Sequence, residues 1–183
     1  MRRVLVTGMS GTGKSSVVDA LAERGHRAVD ADYGGLSHLV AVPGDELTGV
    51  GAGRDWVWRE DRIERLLATD DGDLLFLAGC APNQGKFYPR FDHVILLTAP
   101  AEVIARRLAT RTTNPYGRRP DQLARTLELK RTVEPLLRRG ADLEIETTLP
   151  LDEVVAAILR HVRPSGALPY GGSDSSWSGD HVG

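Results

Sequence analysis

Apolar positions along the chain come in two alternating kinds. Short runs built around apolar residues occur at residues 3–7, 27–29, 74–78, 94–97 and 143–146. Each has the length of a buried strand, and several end in glycine or a turn-forming cluster. Between them the spacing changes to the helical period. Val17, Val18, Leu21 and Ala22 share one face of a helix opening at Lys14 and stopped by Gly25. Trp56, Ile63, Leu66 and Leu67 suggest a second helix, and Val103, Ile104 and Leu108 a third, opened by Pro100 and ending near Arg111. A long helix is expected over 121–139 and a last one over 151–162. Five strands alternating with helices predict an α/β fold, a doubly wound parallel sheet with helices on both faces. Right-handed crossovers then gather the strand C-termini, and any ligand site, along one edge.

Three stretches break the alternation. Residues 33–55 are rich in glycine and loop-forming residues and suggest one short helix over 36–42. The segment from Gly79 through Tyr88-Pro89 is irregular, and 112–120 is polar and turn-prone. From Pro164 onward large apolar residues are scarce and Gly and Ser frequent, so 164–183 reads as a disordered tail behind one domain, 1–163.

The turn after the first strand carries chemistry. Gly8-Met9-Ser10-Gly11-Thr12-Gly13-Lys14-Ser15 matches the P-loop pattern in full. Its glycines let backbone N–H groups face a phosphate chain, and the helix that follows offers its positive end to the same anion. Gly11, Thr12, Gly13, Lys14, Ser15 and Ser16 are the expected nucleotide-binding set. Lys14 would bridge the β- and γ-phosphates of ATP, and the Ser15 hydroxyl would hold Mg²⁺. Only roughly 1–2% of chains this long match by chance, and here a strand precedes and a helix follows.

Two acids lie after the second strand, in Asp30-Ala31-Asp32. Residues two apart at a strand end can point the same way. Asp30 could then hold a water on the metal while Asp32 receives a proton from a substrate hydroxyl; alternatively Asp30 only caps a loop. A switch GTPase, motor or AAA-type ATPase usually shows a strand ending in a carboxylate, but 74–78 runs into Gly79-Cys80-Ala81. No Asn-Lys-x-Asp guanine-reading motif is present either.

These elements together resemble the small-molecule kinases built like shikimate kinase, gluconate kinase and adenylate kinase, over roughly residues 3–162. Asp30-Ala31-Asp32 is similar to the Asp-x-Asp of shikimate kinases. Arg107-Leu108 with Arg111 resembles the Arg-Leu-x-x-Arg that opens the lid of adenylate-type kinases, and Arg119-Pro120 the Arg-Pro that closes the shikimate-kinase lid. Glu134-Pro135-Leu136-Leu137, Ala141-Asp142 and the run from Thr147 to Val155 look like that family's last helix–strand–helix. The resemblance implies a sheet ordered 2-3-1-4-5, a substrate-binding segment over 33–62, a mobile lid over 112–120, and transfer of the γ-phosphoryl group of ATP. It also implies that Arg107 or Arg111 lies against the adenine and that Arg111 and Arg119 act in catalysis. Phosphoryl transfer concentrates charge on equatorial oxygens, so cations arriving with a lid suit it. As a simpler role, such arginines also favour a helix C-terminus.

Some positions depart from the shikimate-kinase pattern. Glu134 and Val133 stand where that family carries an arginine before Pro-Leu-Tyr, and Leu137 replaces the tyrosine. The Gly-Gly-Gly after the third strand is Ala78-Gly79-Cys80. The Asp-Gly-Phe-Pro-Arg element of adenylate kinases is absent. The expected acceptor is therefore a small metabolite other than shikimate or AMP, held by Asp32, Arg54, Arg59, Gly79 and Asn83, with Trp56 or Trp58 as a wall or as packing.

Composition narrows the partners. The chain has 183 residues and a formal charge of −2, no global reason to expect nucleic acid. One cysteine, Cys80, excludes a multi-cysteine metal site and reads as a small buried residue. The five histidines show no metal-ligand spacing, and His38 alone falls in the substrate segment. No run approaches the roughly 18 apolar residues of a membrane span, and the apolar run after Met1-Arg2-Arg3 is too short for a signal peptide. The expectation is a cytoplasmic enzyme with ATP and a small acceptor as partners and no membrane contact; the sequence carries no signal of oligomeric state. A nucleotide-binding regulatory module is the rival reading.

Overall fold

The structure is a computed structural model describing residues 1–112 and 114–162; the expected tail at 164–183 lies outside the described residues. In chain order the elements are β1 (Arg2–Thr7), α1 (Lys14–Glu23), β2 (Arg27–Asp30), β3 (Ser37–Ala41), β4 (Arg54–Trp58), α2 (Glu60–Ala68) and β5 (Leu74–Ala78). A 3₁₀ helix over Gln84–Arg90 follows, then β6 (His93–Thr98), α3 (Ala101–Thr110), α4 (Pro120–Thr132), α5 (Glu134–Arg139), β7 (Leu143–Glu146) and α6 (Leu151–Val162).

Five strands form one parallel sheet in the order β2-β5-β1-β6-β7. Counted within that sheet alone, the order is 2-3-1-4-5. The chain numbering differs in detail because an antiparallel pair, β3-β4, intervenes between its second and third strands. The central strand shows why these runs are continuously apolar. Val4 and Val6 point into a core shared with α1 and α6, through Val17, Leu21, Val155 and Ile158. Leu5 points to the opposite core, with Ile63 and Leu67 of α2, Trp58 and Phe87. A strand covered on both faces has no polar side to show.

Two sequence expectations are corrected in the region 33–62. The short helix over 36–42 is instead strand β3, paired with β4 in the register Ser37↔Trp58 to Ala41↔Arg54. The second helix starts at Glu60, so Trp56 and Trp58 lie on a strand. Seven residues cannot separate a helical from an alternating pattern, and here the pairing with β4 across a distant loop decides for a strand. A third correction divides the helix expected over 121–139 into α4 and α5 at Val133. Pro135 has no N–H to continue the ladder and forces a restart. The irregular segment after Gly79 contains the 3₁₀ helix. Pro100 stands just outside α3 as its N-terminal cap, its carbonyl accepting from the N–H groups of Val103 and Ile104.

Among the described residues no helix is long and apolar enough to cross a membrane. The C-terminal ends of β1, β2, β5, β6 and β7 share one edge of the sheet, and the loops leaving that edge build the site.

Candidate functional site

The chain turns from β1 into α1 through a loop only glycine can build. A Cβ on Gly8 would sit 2.2 Å from the Leu97 carbonyl oxygen and 2.9 Å from Thr12 Oγ1, and its φ is +146°. Gly13 lies at φ +94° directly before α1. No side chain caps that helix and no acid sits in its first turn, so its free N–H groups and positive end remain for an anion. Thr12, fully buried, donates from Oγ1 to the Met9 carbonyl at 2.8 Å and braces the loop. Lys14 Nζ donates to the Gly8 and Met9 carbonyls at 2.7 and 3.1 Å, so its ammonium is held against the cradle.

Asp30 and Asp32 meet this loop from the end of β2. Ser15 Oγ donates to Asp30 Oδ2 at 2.8 Å, while Asp30 Oδ1 accepts the backbone N–H of Asp32 at 2.9 Å. Asp30 therefore caps its own loop and also sits beside the P-loop hydroxyl. The paired oxygens of Ser15 and Asp30 are hard donors of the kind Mg²⁺ takes. Asp32 Oδ1 accepts from Trp56 Nε1 at 3.2 Å. Partial desolvation raises the Asp32 carboxyl above the usual range, with the Asp30 charge adding to it; Lys14, Trp56 and Arg111 pull the other way, Lys14 most.

A cleft of about 450 Å³ joins the P-loop to Asp32 and Tyr33, to Arg107 and Arg111, and to the turn between β7 and α6. Its volume is that of a small-ligand site. Thr147, Leu149 and Leu151 line the last wall, the two leucines about half exposed. Local sequence reasoning missed this wall. The rule that ligands gather at the C-terminal strand edge could have located it after the fifth strand. Tyr33 was missed in the same way.

The arginines divide. Arg107 donates from Nη1 to the Gly11 carbonyl at 3.3 Å and to Thr147 Oγ1 at 2.8 Å, and from Nη2 to the Thr147 carbonyl. Burial lowers its pKa, and neighbouring Arg106 adds to the effect. Arg111 lines the cleft, donating to the Tyr116 carbonyl through Nη2, while its buried Nε has no hydrogen-bond partner among the described residues. Burial likewise draws its pKa down, opposed by Tyr33, Tyr116 and Asp32. Arg118 donates to the Arg111 carbonyl. Arg119 lies outside the cleft lining, exposed, its Nε 3.0 Å from Asp121 Oδ1.

The expected acceptor residues do not converge. Asn83 spends its amide on structure, Oδ1 accepting from the Trp58 N–H and Nδ2 donating to the Trp58 carbonyl, both at 3.0 Å. Gly79 lies against Trp58 and Ala31, where a Cβ would come within 3.0 Å of both. Arg59 is the N-terminal cap residue of α2, and Arg54 opens β4 with an exposed side chain. None of the four lines the cleft. Trp58 is core, fully buried, whereas Trp56 reaches Asp32. Cys80 is a free thiol whose pKa burial pushes up, which fits a packing residue and not a nucleophile.

The family described as "AAA domain" matches residues 4–128. Setting AAA-type domains aside on the missing strand-end acid is thereby corrected at family level: the match spans the P-loop, although β5 ends without a carboxylate. A shikimate kinase of Syntrophus aciditrophicus is 29% identical over 179 residues, covering 87% of this chain and 90% of its own length. A nucleotide-binding protein of Acidiphilium cryptum is 31% identical over 148 residues, 80% of this chain, but the match spans only 44% of that longer protein. Among solved structures, the shikimate kinase of Acinetobacter baumannii in complex with shikimate superposes with a TM-score of 0.58 at 18% identity, covering 88% of this chain and 93% of its own. The chain therefore belongs to the family described as "AAA domain", and it shares the fold of the solved shikimate kinases.

Proposed function

We propose that the protein is an ATP- and Mg²⁺-dependent kinase that phosphorylates a hydroxyl of a small metabolite. The observation that carries this reading is Asp32. A pure nucleotide binder has no use for a partly desolvated carboxylate on the acceptor side of the P-loop, oriented by Trp56 Nε1 at 3.2 Å. The Syntrophus shikimate kinase, matched over 87% of this chain, supports the same class.

The nucleotide's phosphates would lie on the N–H groups of Gly11 to Ser15, and Ser15 with Asp30 would hold Mg²⁺. The bound ion would neutralise the β- and γ-phosphate oxygens. Lys14 exchanges its loop carbonyls for those oxygens. Leu149 and Leu151 offer an apolar surface to a base, and Arg111 faces it across the cleft. Asp32 orients the acceptor hydroxyl and takes its proton as the new O–P bond forms and the bond to the leaving ADP breaks. The segment 33–62, folded back as the β3-β4 pair, carries Trp56 onto Asp32 and is the expected acceptor platform. The loop 112–120 is the expected lid. Arg119 would leave Asp121 only when that loop closes.

The test is ADP release with ATP and Mg²⁺ against a panel of small hydroxyl compounds, run beside Lys14→Ala and Asp32→Asn. Acceptor-stimulated turnover abolished by both substitutions in folded protein supports the kinase. A second reading, a nucleotide-binding regulatory module, is favoured by the name of the Acidiphilium relative. An Asp32→Asn protein that keeps full nucleotide-dependent output would select it.

A further inference from the structure

At the end of the sheet opposite the P-loop, three chemically suited side chains meet from three elements. His93 is the first residue of β6, Asp142 immediately precedes β7, and His161 lies in the last turn of α6. One imidazole nitrogen from each histidine and one Asp142 carboxylate oxygen all lie within 4.8 Å of one another. The two rings stand edge to face with centroids 5.1 Å apart. The residues are separated by 49 and 19 positions, so no spacing in the sequence announces them.

Two observations set this cluster apart from a chance meeting of polar groups. His161 Nε2 is buried without a hydrogen-bond partner among the described residues, which costs the folded protein unless something satisfies that nitrogen. Asp142 is also held in place from behind. Its Oδ2 accepts the Val94 N–H at 2.6 Å, and its own N–H donates to the Val94 carbonyl at 2.8 Å. A ligand carboxylate fixed by a backbone donor is the outer-shell arrangement metal sites use.

We propose that His93, Asp142 and His161 form a binding site for a divalent transition ion of the Zn²⁺ class. Two imidazoles and a carboxylate are a borderline donor set, suited to Zn²⁺ and poorly suited to Mg²⁺ or Ca²⁺. Ligand atoms around tetrahedral Zn²⁺ lie about 3.3 Å apart, given Zn–N distances of about 2.0–2.1 Å. Closing the remaining gap calls for small side-chain movements of the three residues on binding. Three protein ligands leave a fourth position for water. The ion would pin the end of α6 to the start of β6 and the approach to β7, remote from the phosphate site and independent of the kinase reading.

The test is calorimetric titration of the full chain with Zn²⁺ after chelator treatment and without nucleotide. One equivalent is expected. His93→Gln and His161→Gln should each weaken binding at least about 100-fold, and Asp142→Asn by about 10- to 100-fold, while His38→Gln leaves it unchanged. To keep the test independent of how the variants fold, Co²⁺ is also added to the unaltered protein and the histidine ring signals followed by NMR. Paramagnetic broadening confined to His93 and His161 supports the site. Absence of binding, binding indifferent to these substitutions, or broadening centred on other histidines overturns it.

Discussion

Replacing Glu134 by alanine would strand a lysine. Glu134 opens α5 with its side chain only 5% exposed, and Lys130 one turn earlier is 19% exposed. Lys130 Nζ donates to both carboxylate oxygens, at 2.7 and 2.8 Å; Thr98 Oγ1 donates at 3.0 Å and Arg138 Nη2 at 3.1 Å. Arg138 has a second partner in Glu144, which together with Glu134 raises its pKa, so it tolerates the loss. Among the described residues Lys130 then keeps only the Thr98 hydroxyl, at 3.2 Å. Removing one member of a buried ion pair costs about 3–5 kcal/mol, and Lys130's partial access to water places this case near 3 kcal/mol. In a domain of this size that lowers Tm by about 6–12 °C. Glu134→Gln keeps an acceptor and the shape and should lose about half as much. Pairing Glu134→Leu with Lys130→Met should recover most of the loss, because two apolar groups leave no stranded charge. Urea and thermal denaturation of the unaltered protein, these three variants and the single variants Glu134→Leu and Lys130→Met measure this. The reasoning fails if Glu134→Ala costs under about 0.5 kcal/mol, as an unremarkable surface change would, or if the double variant is simply the sum of its parts.

Other expectations concern the site. Asp32→Asn should lower acceptor-dependent turnover by about 100-fold or more yet raise Tm at neutral pH. The Asp32 pKa is raised in the fold, so its protonated form is the favoured one; the resulting contribution is present below the unfolded pKa and lost as pH rises through the folded value. Thermal scans should therefore show the variant's advantage at pH 7 vanishing in acid, and activity profiles of the unaltered enzyme should fall, on acidification, at a higher pH than an ordinary carboxylate dictates. Gly8→Ala forces a Cβ onto the Leu97 carbonyl at a backbone angle costing about 1–3 kcal/mol; equilibrium dialysis should find ATP binding lost. Arg107→Lys loses the forked donation to Thr147 and Gly11 and should raise the KM for ATP roughly tenfold in steady-state assays, with kcat changed less.

What could be read from the sequence was contiguous. The P-loop writes its strand, turn, cation and hydroxyl in adjacent residues, and the central sheet strands β5, β1 and β6 are apolar because both their faces are covered. Failures came where the deciding contact is distant. The β3 run looks helical until β4, paired across a loop from 42 to 53, supplies its partner. Asn83 looks like a ligand-binding amide beside the site, but the Trp58 backbone, 25 residues earlier, claims it. Arg119 sits in a lid-like Arg-Pro, yet Asp121 two residues on neutralises it in this arrangement. Glu134 looked only like a missing arginine; Lys130 and Thr98 give the acid its own buried task.

Arg107 ties the Gly11 carbonyl of the phosphate loop to the Thr147 hydroxyl and carbonyl, 40 positions later. The loop at the start of the domain and the turn leading into α6 thus share one guanidinium, so neither can open without freeing it. Occupancy of the phosphate loop is then expressed as amide protection in a stretch of chain far away in sequence: deuterium uptake at 147–149 should slow when nucleotide is bound, and Arg107→Ala should weaken that slowing.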